Sequence, residues 1–161
     1  MIQAVTVISI AVLVILDQIS KYFVISNLEV GESCMRIPHF IEVHYIRNFG
    51  GMMGTFDSMG KFLGIATIFI LAAGIIILLM KKIKPGLPYV CITMIIAGGI
   101  GNLIDRLRLG YVIDFINVLF VDFYVFNFAD CLVTVGAFLL VFYEIYLIIR
   151  DSKKKKGEDN V

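Results

Sequence analysis

Two aspartates in apolar surroundings are the residues of this chain best suited to acid–base chemistry. Asp114 lies between Ile113 and Phe115, and Asp130 follows the run Phe126–Ala129. Two carboxyl groups that lie close together cannot both ionise readily, so they tend to share one proton. The ionised group can draw a proton from water while the protonated group donates to a substrate carbonyl. Such a pair can hydrolyse a peptide bond through a tetrahedral diol, and this chemistry needs neither a metal nor a covalent intermediate.

Each aspartate taken alone could simply be a helix cap or one half of a loop ion pair. Pairing is favoured because amides and further charges accompany them. Asn127 precedes Asp130 by about one helical turn, and Asn102, Asp105 and Arg106 have the spacing i, i+3, i+4 that shares one helix face. An amide, a carboxylate and a guanidinium on one face could bind an extended peptide backbone. A helix-packing seam with a polar cap would use the same residues.

Asp17 and Lys21 form a further candidate group inside the first apolar segment. They are four residues apart, so on a helix they share a face and can pair. Charged groups within a membrane-spanning segment are costly and often functional. The spacing therefore predicts either a structural ion pair that anchors the helix or support for an active site formed by the other groups.

This chemistry requires elements that hold polar groups in apolar surroundings. The chain has 161 residues, of which 60% are hydrophobic and 17% charged, whereas average soluble domains are about 45–50% apolar and about 25% charged. A soluble fold of this size could not bury so much apolar surface, but lipid can act as its solvent. Spanning a bilayer takes about 20 helical residues. Four apolar runs predict transmembrane helices within one integral membrane domain, residues 1–161, at about 5–24, 62–80, 87–104 and 126–149.

Lysine clusters set the expected orientation, because cytoplasmic loops carry an excess of Lys and Arg. Lys81, Lys82 and Lys84 follow the second apolar run, and Lys153–Lys156 follow the fourth. Both termini are therefore expected in the cytoplasm, with the polar groups at the outer ends of the helices. The remaining segments are predicted to be two outer loops and a charged, disordered cytoplasmic tail, at 25–61, 105–125 and 151–161.

The first outer loop carries a strand signal. The run Phe40–Ile46 partly alternates, with Ile41, Val43 and Tyr45 on one face. A small sheet on the outer membrane face is therefore predicted. The expected fold class is an all-α membrane protein with four transmembrane helices, both termini cytoplasmic, and a small extracytoplasmic β-sheet.

Other functional classes fit parts of the sequence. A proton-coupled transporter or channel would also place Asp, Asn and Arg in a membrane, but here the acids gather at one surface rather than crossing it. A noncatalytic scaffold held by the Gly98–Gly101 run would function without Asp114 or Asp130. The sequence has no HExxH zinc motif, and it has no basic stripe with interleaved aromatics of the kind that nucleic acid would require.

Five motifs, in order across nearly the whole chain, resemble those of the lipoprotein signal peptidase family, also called signal peptidase II. Together they are highly specific, although no single one would be. The motifs are Leu16–Lys21, Arg47-Asn48-Phe49-Gly50, Gly98–Arg106, Val112–Phe115 and Phe126–Asp130.

The resemblance implies that Asp114 and Asp130 are the catalytic pair. It also implies that other residues line or support the substrate site, namely Asn48, Asn102, Asp105, Arg106 and Asn127. Asp17 and Lys21 would support helix packing. The Gly51-Met52-Met53 segment departs from the family, which usually has small residues and then an aromatic there, so the shape of the loop that covers the substrate is expected to differ.

The implied substrate is a prolipoprotein that carries a diacylglyceryl cysteine and is cleaved just before that cysteine. The implied location is the bacterial cytoplasmic (inner) membrane, with the active site at the extracytoplasmic face and membrane lipid as a partner. Inhibition by cyclic depsipeptides such as globomycin is expected, as are a monomeric state and no requirement for a cofactor.

Overall fold

A computed structural model of the protein describes residues 2–50, 57–79 and 86–158, with four helices and three strands among them. The helices are α1 (Ile2–Asn27), α2 (Asp57–Leu79), α3 (Leu87–Leu109) and α4 (Phe128–Glu158). The strands are β1 (Ser33–Ile37), β2 (Ile41–Asn48) and β3 (Val112–Val118).

The three strands form one antiparallel sheet in the order β1-β2-β3. The predicted strand at Phe40–Ile46 is confirmed as the core of β2. Strand β3 was not predicted, although its segment is rich in β-branched and aromatic residues that favour strands. Its pairing with β2 sets Asn48 opposite Val112 and Ile46 opposite Asp114. The sheet therefore brings the segment between α1 and α2 to one of the two aspartates.

Helix α3 lies at the centre of the helical part and packs against α1, α2 and α4. Its contact with α4 is close because small residues face each other. A Cβ added at Gly98 would overlap the carbonyl oxygen of Ala129, and one at Gly136 would lie 2.9 Å from the carbonyl oxygen of Cys91. Between apolar helices in lipid, such close packing is a main source of attraction.

The outer surface of the helices is apolar, while several of the most deeply buried side chains are polar. Val7, Phe69 and Phe142 are among many exposed large apolar residues, whereas Asp17 and Lys21 are 0% and 1% exposed. Within the described residues, three segments have the length and apolar character for a membrane span, at Gln3–Asn27, Leu87–Leu109 and Phe128–Lys153. The corresponding apolar stretch of α2, Ile65–Leu78, is shorter.

Three predicted boundaries are wrong. Helix α2 begins at Asp57, five residues before the predicted start at residue 62 and inside the predicted loop 25–61. Helix α3 runs five residues past the predicted end at residue 104, because Gly110 supplies the left-handed C-cap with φ 80°. Asp105 and Arg106 therefore belong to a helix and not to the outer loop 105–125. The tail 151–161 is not disordered throughout, because α4 continues to Glu158. Lysine is a good helix former, so the charged run can extend the helix.

Some predictions fall on residues outside the described part of the chain. These are the altered loop segment Gly51-Met52-Met53, the cluster Lys81, Lys82 and Lys84, and the last three residues of the tail.

Candidate active site

Helix α4 begins with a reciprocal pair of hydrogen bonds that positions Asp130. The backbone N–H of Asp130 donates to Asn127 Oδ1 (3.0 Å), and the backbone N–H of Asn127 donates to Asp130 Oδ2 (3.1 Å). This is the capping-box arrangement, in which two otherwise unpaired donors at a helix start are satisfied. Asp130 is therefore held in the first turn of α4 with one oxygen already engaged.

Asp114 projects from β3 into the same region and is 1% exposed. Asn48 Nδ2 donates to Asp114 Oδ2 (2.8 Å), and Asn127 Nδ2 donates to Asp114 Oδ1 (2.6 Å). Asn127 thus touches both aspartates, through its side chain on Asp114 and its backbone on Asp130. The pairing of the two acids predicted from sequence is consistent with this geometry, since one residue contacts both.

Asn102 of α3 completes a chain of amides between the acids. Its Nδ2 donates to Asp130 Oδ1 (2.8 Å). Its Oδ1 accepts hydrogen bonds from Asn127 Nδ2 (3.0 Å) and from Lys21 Nζ (3.0 Å). Both oxygens of Asp130 therefore accept an N–H from a group that is itself fixed by another contact.

Behind the amides lies a buried charge cluster that joins α1 to the rest of the site. Lys21 Nζ lies 3.0 Å from Asp17 Oδ2 and 2.9 Å from Asp105 Oδ2. Asp17 Oδ1 accepts the backbone N–H of Ala129 (3.0 Å), and Asp105 Oδ2 accepts that of Ile113 (3.2 Å). Each carboxylate thus links the cluster to the backbone next to one of the candidate catalytic aspartates.

Gln18 is a member of this cluster whose role the sequence did not reveal. Its Nε2 donates to Asp105 Oδ1 (3.0 Å), and lies 3.2 Å from Asp17 Oδ2 and 3.3 Å from the carbonyl oxygen of Gly101. A polar residue beside Asp17 in an apolar segment was the available signal. Its partners on α3 could not be read from spacing along α1.

Arg106 is half-buried near the end of α3. Its Nη1 lies 3.4 Å from the backbone oxygen of Asn102, and its charge interacts with Asp130, Asp114 and Asp105. The structure therefore gathers all nine residues that the sequence singled out into one region, formed by the C-terminal halves of α1 and α3, strands β2 and β3, and the N-terminal end of α4. The nine residues are Asp17, Lys21, Asn48, Asn102, Asp105, Arg106, Asp114, Asn127 and Asp130.

Burial makes Asp114 an unusually weak acid. Desolvation, with a smaller contribution from the nearby charge of Asp130, raises the pKa of Asp114 to about 6, against the hydrogen bonds from Asn48 and Asn127, which lower it. A carboxyl group of this kind can hold a proton close to neutral pH and release it during a reaction. Within the described residues, no cluster of three or more His, Cys, Asp or Glu side chains is arranged to hold a metal ion.

The sequence is similar to known bacterial enzymes over most of its length. A family described as signal peptidase (SPase) II matches residues 9–146. The lipoprotein signal peptidase of Enterococcus faecalis is 38% identical over 150 residues, which cover 92% of this chain and 91% of that protein. The lipoprotein signal peptidase of Streptococcus pyogenes serotype M5 is 39% identical over 135 residues, which cover 84% of this chain and 89% of that protein.

The fold is also similar to solved structures. A bacterial membrane enzyme determined by the in meso method at 2.3 Å resolution superposes with a TM-score of 0.79 at 32% identity, covering 94% of this chain and 92% of that one. A second, determined by the same method at 1.9 Å, has the same TM-score and identity and covers 87% of this chain.

Proposed function

Since the chain belongs to the signal peptidase II family, we propose that it cleaves prolipoproteins by a two-aspartate mechanism, with Asp114 and Asp130 as the catalytic pair. Membership makes the protein a protease that removes signal peptides from lipoproteins in a bacterial membrane. The finer proposal is that the substrate carries a diacylglyceryl cysteine and that the bond just before this cysteine is cut.

One observation supports the two-aspartate mechanism more directly than any other. Asn127 donates its side-chain N–H to Asp114 and its backbone N–H to Asp130. A single residue at the start of α4 therefore fixes the relative position of two carboxyl groups that come from different elements. Preorganised groups of this kind lower a barrier because no reorientation is needed during the reaction.

In the proposed reaction, the ionised carboxylate takes a proton from a water while the water oxygen bonds to the scissile carbonyl carbon. The protonated carboxyl group gives its proton to the carbonyl oxygen, and a tetrahedral diol results. The diol then collapses as the C–N bond breaks. The acid formed in the first step protonates the leaving nitrogen, and the diol returns a proton to the other carboxylate, so the pair regains its starting state.

The supporting residues have distinct proposed roles. Asn48, Asn102 and Asn127 orient the two acids through the hydrogen bonds described above. Arg106 is half-exposed near both acids and is a candidate for binding a substrate carbonyl or stabilising developing charge. The buried cluster of Asp17, Lys21 and Asp105 holds α1 against α3.

The proposed topology has four transmembrane helices with both termini in the cytoplasm. The end of the helices that carries the aspartates would then face outward, next to the sheet. A lipidated cysteine that follows an apolar signal helix would reach this depth, because its acyl chains remain in the outer leaflet. Lysines after Arg150 would lie at the cytoplasmic surface, as the positive-inside rule requires. We expect a monomer that is inhibited by globomycin.

The decisive experiment uses purified protein and a synthetic prolipoprotein segment with a diacylglyceryl cysteine, with products identified by mass spectrometry. Asp114→Asn and Asp130→Asn are each expected to reduce cleavage at least about 1,000-fold, within the range for loss of a positioned acid or base. Asp122→Asn is the matched control, because Asp122 is exposed in the loop that joins β3 to α4.

Two outcomes would contradict the proposal. Cleavage by Asp114→Asn at the rate of Asp122→Asn would remove Asp114 from the mechanism. Equal cleavage of lipidated and unmodified peptides would remove the diacylglyceryl group from the substrate definition, and a product that does not begin with the cysteine would refute the proposed position.

A further inference from the structure

We infer that the two aspartates have fixed and different roles: Asp114 carries the shared proton and acts as the general acid, while Asp130 is the ionised base that activates the water. The inference rests on the proposed two-aspartate function and deepens it. It follows from the way in which each carboxyl group is held.

The three asparagines that touch the acids cannot swap the two ends of their amide groups. In each amide the oxygen accepts a hydrogen bond from a fixed donor. The donors are the backbone N–H of Gly50 for Asn48 (2.8 Å), Lys21 Nζ for Asn102 (3.0 Å) and the backbone N–H of Asp130 for Asn127 (3.0 Å). The NH₂ group of each amide must therefore point at an aspartate.

Each acid accepts two N–H donors, so the amides by themselves do not separate the roles. The difference lies in what surrounds each acid. Asp130 sits in the first turn of α4, where the aligned peptide dipoles stabilise a negative charge. Asp114 sits on a strand, which has no comparable dipole, and it is 1% exposed whereas Asp130 is half-buried.

Nearby charges favour the same assignment. The guanidinium of Arg106 on α3 interacts more strongly with Asp130 than with Asp114. The charge of Lys21 on α1 lowers the pKa of Asp114 and so opposes the assignment, but it is the smallest of the influences on Asp114, because Lys21 is paired with Asp17 and Asp105. Burial also raises the pKa of Asp114 to about 6, so its proton is retained in mildly acidic solution. Ionisation is thus easier to accommodate at Asp130.

With these roles assigned, each proton has a defined path. Asp130 removes a proton from the attacking water, and Asp114 gives its proton to the carbonyl oxygen, so the diol forms with both charges balanced. As the C–N bond breaks, Asp130 gives its new proton to the leaving nitrogen and Asp114 recovers one from a diol hydroxyl. No oxidant or further reactant is needed.

The test is the pH profile of kcat/KM, which reports the essential acid and base of the free enzyme. Activity should fall as the pH rises through about 6, where the raised pKa of Asp114 lets its proton leave, and this fall is the alkaline limb of the profile. Asn48→Ala and Asn102→Ala form a matched pair of variants. The first removes an N–H from Asp114 only, and the second removes one from Asp130.

Asn48→Ala removes a hydrogen bond that lowers the pKa of Asp114, so the alkaline limb should move upward by about one pH unit. Asn102→Ala removes no direct contact of Asp114, so it should move the alkaline limb less than Asn48→Ala. An alkaline limb that stays in place in Asn48→Ala, with any shift confined to the low-pH side of the profile, would overturn the assignment. Should Asn102→Ala fail to fold, Asn48→Ala alone decides, because the side chain of Asn48 contacts Asp114 and Gly50.

These results are distinguishable from failure of the proposed function. If cleavage still requires both aspartates but Asn48→Ala shifts the low-pH side of the profile and not the alkaline limb, the roles are exchanged and the two-aspartate mechanism stands. If Asp114→Asn or Asp130→Asn cleaves as fast as wild type, the mechanism itself is wrong.

Discussion

The contact between α3 and α4 has an apolar half and a polar half, which hold the helices together in different ways. In the apolar half, Gly136 lies against the backbone of Cys91, and contact distance alone defines the fit. In the polar half, Asn102 binds Asp130 and Asn127, so direction matters as well as distance. Apolar packing keeps two helices close, whereas hydrogen bonds fix how the side chains of one helix face the other.

The polar half depends on complete pairing. Lipid offers no replacement partner for a buried polar group, so an unpaired one is costly. Among the described residues, every buried side-chain nitrogen or oxygen has a hydrogen-bond partner. A substitution in the polar half should therefore disturb several hydrogen-bonded neighbours. A substitution in the apolar half should disturb only the residues that it contacts directly.

The largest effect is expected for Lys21→Met, which leaves the buried carboxylates of Asp17 and Asp105 without their cation. Removing one partner of a buried ion pair costs about 3–5 kcal/mol. The free energy of unfolding, measured by denaturant titration in detergent, should fall by that amount. Adding Asp105→Asn to Lys21→Met should recover part of the loss. Unchanged stability of Lys21→Met would mean that the cluster is not held by its charges.

A smaller effect on stability is expected for Gly98→Ala and Gly136→Ala. Comparing these two variants distinguishes the polar half of the contact from the apolar half. A methyl group at Gly98 would overlap the backbone oxygen of Ala129, next to Asp130. A methyl group at Gly136, two turns further along α4, would press on the backbone oxygen of Cys91 on α3. Overpacking should lower the unfolding free energy of each variant by about 1–3 kcal/mol.

Their effects on cleavage should differ, because Gly98→Ala displaces the first turn of α4. A shift of about 1 Å at a catalytic group can cost about 100-fold in rate, so kcat should fall by that factor in Gly98→Ala and much less in Gly136→Ala. Equal loss of kcat in two equally stable variants would show that the apolar half also sets the geometry of the acids.

The smallest effect is expected for Gln18→Met, which removes the amide donor to Asp105, Asp17 and the carbonyl oxygen of Gly101 but retains the side-chain volume and leaves Lys21 in place. The unfolding free energy should fall by about 1 kcal/mol, the order of a net hydrogen bond, because Lys21 still pairs with both carboxylates. Cleavage measured with the same lipidated peptide should change less than in Gly98→Ala. A larger loss of cleavage would place Gln18 among the residues that position the acids.

The sequence predicted this site best where two partners lie on one helix. Asp17 and Lys21 are four residues apart, and that spacing is enough to predict their pairing. Asn102 and Asp105 were likewise assigned to one face of one helix, although the helix was expected to end earlier. In both cases the regular period of the α-helix determines which side chains share a face.

Partners from different elements could not be predicted in the same way. Strand β3 has large apolar residues on both faces, so it lacks the alternation that identified β2. The position of Asn48 beside Asp114 depends on the register of β2 and β3, which shifts between Val43 and Ile46. Nothing local in the sequence encodes that shift.

If the proposed mechanism holds, the capping box at the start of α4 makes catalysis depend on the end turn of a helix. If the first turn opens, Asn127 releases Asp114 and Asp130 together, while the rest of α4 can remain helical. On warming, turnover should therefore decline before the helices melt, and a bound ligand that contacts this turn should raise the temperature at which turnover is lost. Heat inactivation of this enzyme would then begin as a local event of one turn, with the body of the membrane protein still intact.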